Sequence, residues 1–93
     1  MDKEKAIEVL KKIEDPELGL DIWTLGLVYK VEVKERDVFI DLTFTSPMCP
    51  YGPMLLEQID QELRAAGFFP KIEVVFSPPW KPSDEVKMML GLL

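Results

Sequence analysis

The sequence contains no histidine and one cysteine. Without an imidazole, no Cys-His dyad, Ser-His-Asp triad or histidine metal ligand exists within this chain. A lone cysteine has no partner for an internal disulfide, which fits a reducing compartment. A four-thiolate metal site needs thiols from other chains. Any chemistry falls to a thiol, carboxylates, hydroxyls or backbone groups. Basic residues are also short: 11 Lys and Arg stand against 17 Asp and Glu, a net charge of −6. They are scattered without a basic stripe, so the electrostatic footprint of a phosphate-backbone binder is missing and no nucleic-acid partner is expected. No apolar run approaches the roughly 20 residues that cross a bilayer, and no membrane partner is expected. The opening Met1-Asp2-Lys3-Glu4-Lys5 is charged where a secretory signal turns apolar, so the expected location is the cytoplasm.

What remains is an ordinary globular balance, 47% hydrophobic and 30% charged over 93 residues, read as one domain spanning 1–93. Ala6, Val9, Leu10 and Ile13 recur at helical spacing, and Pro16 is the expected stop. Residues 15–26 carry no clean period and read as a loop over the core, with Trp23 in it. Two strands follow: Leu27, Tyr29, Val31 and Val33 form one alternating apolar set, Val38, Ile40, Leu42 and Phe44 the next. The short charged link 34–37 makes them a hairpin. A second helix is expected over 53–66, burying Leu55, Leu56, Ile59, Leu63 and Ala66, with Pro53 in its first turn and Gly67 at C′. A third strand over 71–77 buries Ile72, Val74 and Phe76. It lies parallel to the second if both join one sheet. Ser83 caps a last short helix with Val86, Met89 and Leu90 inward. The order is helix-strand-strand-helix-strand-helix, an α/β (α+β) two-layer sandwich on a three-stranded mixed sheet.

The segment Ser46-Pro47-Met48-Cys49-Pro50 falls between a strand end and a helix start, stiffened by Pro47, Pro50 and Pro53. A thiol placed before the unpaired N–H groups of a helix ionises more readily, and a thiolate is both nucleophile and soft-metal ligand. The alternative is a small buried hydrophobe. Thr43 and Thr45 are expected on the strand face away from the core, where with Ser46 they offer hydroxyls to a ligand; equally, threonine suits strands and serine before proline suits turns. Asp15 and Glu17, around Pro16, either complete a hard-ligand site or close a helix stop and cap the next turn. In Pro78-Pro79-Trp80 the tryptophan is either a docking anchor or a lid on the core. The apolar end, residues 88–93, either folds back onto the sheet or covers a partner subunit.

Asp15-Pro16-Glu17, Leu25-Gly26-Leu27-Val28-Tyr29, Leu42-Thr43-Phe44-Thr45-Ser46-Pro47-Met48-Cys49-Pro50 and Pro78-Pro79-Trp80 occur in the order and spacing of one family. The chain resembles the SufT-like and PaaD-like iron–sulfur cluster assembly domains over almost its whole length. That resemblance implies a fold like the NifU C-terminal domain. It also implies a role in maturing iron–sulfur proteins, as carrier, adaptor or target-selecting factor rather than as a turnover enzyme. By position, the family's acidic loop falls on Asp15 and Glu17, and its Thr-Thr/Ser-Pro-x-Cys-Pro loop on Thr45, Ser46 and Cys49, with Cys49 the implied metal ligand. The cofactor so implied is a transiently held iron or iron–sulfur cluster. The implied partners are iron–sulfur assembly proteins or client apo-proteins, with a homodimer as one way to share a cluster. The Cys-x-x-Cys of NifU-type scaffolds is missing, which argues against building a full cluster on a monomer. A second function in keeping with the resemblance is a non-catalytic accessory subunit of a PaaD-like oxygenase assembly, docking through Trp80 and the apolar end. A thiol enzyme ranks last, with neither histidine nor resolving cysteine.

Overall fold

The computed structural model describes residues 2–16, 18–45 and 51–91. Its elements are α1 (Asp2–Leu10), β1 (Val28–Lys34), β2 (Asp37–Leu42), α2 (Gly52–Ala65), β3 (Phe69–Val74) and α3 (Asp84–Met89). The strands form one mixed sheet in the order β1-β2-β3, with β1 antiparallel and β3 parallel to β2. The helices α1 and α2 pack on each other and on the sheet, α1 against β1 and α2 against β3. The expected two-layer α+β architecture is the one observed.

The core follows from the side-chain periods. In β2, Val38, Ile40 and Leu42 are buried, as two-residue alternation on a half-covered sheet requires. In α2, Leu55, Ile59 and Leu63 are buried; Leu56 is half-buried at the margin, and Ala66, expected inside, is exposed because the helix has ended before it. Gly67 takes φ +92, with Gly67 N–H bonded to Arg64 O and Phe68 N–H to Leu63 O. These two bonds make a Schellman close, and buried Phe68 is its hydrophobic plug. Ser83 Oγ accepts from Val86 N–H at 3.2 Å, the expected cap of α3. Only Val86 of α3 is buried, and Met89 is 52% exposed, because six residues give less than two turns to face inward.

Three segments depart from simple periodicity. First, α1 ends at Leu10 rather than at Pro16. Bonds from Lys12 N–H to Val9 O and Ile13 N–H to Leu10 O tighten the last turn. The chain then pairs with itself, Ile22 N–H to Ile13 O and Asp15 N–H to Leu20 O, around a Glu14–Asp21 bridge. Second, β1 carries one extra residue: Val28 pairs with Leu42 and Lys30 with Asp41, leaving Tyr29 as a bulge. The bulge shifts the alternation so that Val28, Val31 and Val33 lie opposite the buried Leu42, Ile40 and Val38. Tyr29, expected in the buried set, is instead 36% exposed. Third, β3 closes at Val74, so the expected inward Phe76 lies past the alternating stretch and is 51% exposed.

Candidate functional site

Where β2 ends, its chain continues between two neighbours. Thr43 N–H donates to Leu27 O and Val75 N–H to Leu42 O, both at 2.8 Å. Thr43 is buried at 1% exposure, whereas the strand pattern set it on the open face with Thr45. Its burial arises because the strand stops at Leu42 and alternation stops with it. Thr45 is half-buried.

The Phe44 ring makes the next contacts. It meets Phe76 with ring centroids 6.3 Å apart and planes tilted by 52°. On its other side it seats against Gly52, where an added Cβ would stand 3.1 Å from Phe44 Cζ. Thr43, Phe44 and Thr45 together with Phe76, Pro79 and Trp80 line a cavity of about 80 Å³. Gly52 opens α2, whose N-cap residue Tyr51 makes no side-chain capping bond and whose first turn holds no acid. The end of this 14-residue helix is therefore left electropositive by its own sequence.

Two hydrogen bonds across the cavity rim were not foreseen from the sequence. Trp80 Nε1–H donates to Leu25 O at 2.6 Å, and Tyr29 Oη–H to Pro78 O at 2.9 Å. They join the Leu25-to-Tyr29 motif directly to the Pro78-to-Trp80 motif. Motif spacing alone carries no sign of this pairing; the bulge that turns Tyr29 outward is what permits it. Trp80, open between core and docking surface, is half-buried against the core. Trp23, expected in the core, packs there too.

Of the other expected site residues, Asp15 is buried at 2% exposure. Its Oδ1 accepts from Leu18 N–H at 3.1 Å and its carbonyl oxygen from Gly19 N–H at 2.9 Å, the bonds of a local turn. Asp15 does not line the cavity, and Thr45 does. Cys49, Ser46 and Glu17 lie outside the described residues, as do Leu92 and Leu93. Among the described residues, no group of three or more Cys, Asp or Glu side chains is arranged to hold a metal ion. No described helix is long and apolar enough to cross a membrane.

A family model described as iron-sulfur cluster assembly protein matches residues 3–74. The chain belongs to the iron–sulfur cluster assembly family. It is 48% identical, over 84% of this chain and 96% of the relative, to the Fe-S protein maturation auxiliary factor SufT of Staphylococcus aureus. It is 38% identical, over 97% of this chain and 94% of the relative, to the corresponding auxiliary factor YitW of Bacillus subtilis. A crystal structure of a domain of unknown function, DUF59, from Bacillus anthracis matches it with a TM-score of 0.86 at 33% identity, covering 98% of this chain and 92% of that one. The family match ends before the Pro78-to-Trp80 motif, so that segment's place at the cavity rests on the geometry above.

Proposed function

We propose that this chain matures iron–sulfur proteins as a non-enzymatic carrier or adaptor, with Cys49 handling iron or a cluster as cargo. The observation that carries the reading is the bracketing of the cysteine segment. Thr45 on the rim of the cavity and Gly52 at the start of α2 flank it in sequence. The Phe44 ring holds those two flanks against each other. Hydroxyl groups at one flank and a helix start without acids at the other suit an anionic sulfur and its metal. The names of the two relatives support the same role.

One thiolate cannot satisfy a cluster, so the remaining ligands come from a second copy, an assembly protein, a client or a small thiol. Thr45 and Ser46 are proposed to hydrogen-bond the cargo sulfur. Asp15 and Glu17 are proposed to complete its surroundings. The partners are iron–sulfur assembly proteins or client apo-proteins, met in the cytoplasm. Anaerobic reconstitution with ferrous iron and sulfide tests the reading. The wild-type chain is expected to give a labile visible chromophore that runs with an oligomer, and Cys49→Ser is expected to lose it. A Cys49→Ser protein that reconstitutes as fully as wild type removes the cysteine from the ligand set.

A further inference from the structure

β3 closes one side of the sheet, so its outer edge has no neighbouring strand among the described residues. The hydrogen-bond phase of β3 decides which groups line that edge. Phe69 N–H donates to Arg36 O and Val75 N–H to Leu42 O, both toward β2. In a parallel pair alternate residues bond the neighbour, so 69, 71, 73 and 75 turn their main-chain groups to β2. Residues 70, 72 and 74 turn theirs outward. Pro70 has no N–H to leave unmet, and this is the position where an edge strand tolerates proline. The N–H groups of Ile72 and Val74 remain, facing outward beside a groove lined by Leu56, Glu57, Asp60, Pro70 and Ile72.

The occupant that fits this edge is a second copy of the same strand. An antiparallel copy centred on Ile72 sets Ile72 against Ile72, Pro70 against Val74 and Lys71 against Glu73. Every outward N–H then finds an acceptor: Ile72 N–H meets the copy's Ile72 carbonyl, and Val74 N–H meets the copy's Pro70 carbonyl. Lys71 and Glu73 fall in the pairs between these bonds, where side chains stand closest. Within the chain neither has an ion-pair partner among the described residues. Glu73 lies directly across from Asp41 of β2, like charge on like, and the copy's Lys71 supplies the missing cation. Registers centred on Lys71 or Glu73 set that charge against itself. The acids of the groove arrive engaged, Glu57 accepting from Gln61 at 3.2 Å and Asp60 from Arg64 at 2.9 Å. An edge lysine and an edge proline deter indiscriminate pairing; both suit this one register.

We propose that the free edge of β3 is the interface between two copies of this chain, paired antiparallel about Ile72 so that their three-stranded sheets become one. The inference goes beyond the functional reading and does not rest on it. It needs neither Cys49 nor iron, and it gives the second copy a surface.

Sedimentation of the full chain without metal, across about 10 µM to 1 mM, reads the association. Wild type is expected to pass from monomer to dimer in that range. Lys71→Glu and Glu73→Lys each replace both ion pairs of the interface with like charges, and each is expected to raise the dissociation constant about tenfold. The double variant Lys71→Glu/Glu73→Lys restores the pairs with their ends exchanged and is expected to return to within about threefold of wild type. Glu73→Lys also sets a cation across from Asp41, so poor folding does not account for its loss. Amide hydrogen exchange on the wild type is the second readout: Ile72 and Val74 are expected to exchange more slowly as concentration rises. A chain that stays monomeric throughout overturns the proposal. So do single variants that dimerise like wild type, a double variant as weak as the singles, or Ile72 and Val74 amides indifferent to concentration. Protection of those amides only on adding a different protein gives the edge to that protein and overturns it equally.

Discussion

Gly52 and Asp15 are both buried, each for its own reason. At Gly52 the Phe44 ring occupies the space where a side chain would grow, 3.1 Å from an added Cβ. Gly52→Val is therefore expected to lose about 1–3 kcal/mol, the usual cost of overpacking a filled site. A urea-unfolding midpoint that does not fall would show that the ring swings aside freely. Asp15, by contrast, has its Oδ1 and carbonyl oxygen engaged in a turn of its own loop. Motif position marks Asp15, Thr45 and Tyr29, but it does not show the contacts that Tyr29 and Gly52 make. A glycine beside prolines reads as loop chemistry, and its contact with an aromatic ring 8 positions earlier is a tertiary fact. Tyr29 sits in phase with Val31 and Val33 in the sequence, and only the inserted bulge puts it out of phase in space.

At the scale of elements, the parts made by side-chain period were legible and the parts made by backbone pairing were not. Val38, Ile40 and Leu42 alternate in sequence and are buried together; Leu55, Ile59 and Leu63 recur at helical spacing and share the buried face of α2. Gly67 and Ser83 announced one helix end and one helix start by residue type, and both hold in space. The Glu14–Asp21 bridge and the early end of α1 left no trace, because main-chain bonds do not select side chains by period. Phe76, Ala66 and Met89 were read as inward by extending a period past the point where its element stops. The hairpin turn offers an element-scale prediction. Lys34 pairs with Asp37, and Glu35 between them takes φ 56, a conformation that disfavours any residue with a Cβ. Glu35→Gly is expected to raise stability by about 0.5–1 kcal/mol, because relief at the turn outweighs the extra chain entropy. The check is a thermal melt, in which ~1 kcal/mol moves the midpoint of a domain this size by about 4–8 °C. A lower midpoint would mean that the Glu35 side chain contributes more than its backbone costs.

Over the whole molecule, helices cover one face of the sheet. The other shows alternating charge, with Lys30, Glu32 and Lys34 on β1 and Lys71 and Glu73 on β3 exposed. The residues proposed to bear on function gather instead at the edge where β2 ends, α2 begins and residues 76–80 line the cavity. That edge brings together three of the four sequence motifs, and the fourth, around Asp15, builds a turn within its own loop. The central claim is that the single thiol moves cargo to a client. The direct measurement is the rate at which the chain, loaded anaerobically with iron and sulfide, restores activity to an apo iron–sulfur enzyme such as apo-aconitase. The account predicts that wild type accelerates recovery over free iron and sulfide, and that Cys49→Ser falls to that background while keeping its fold. Equal acceleration by wild type and Cys49→Ser would contradict it.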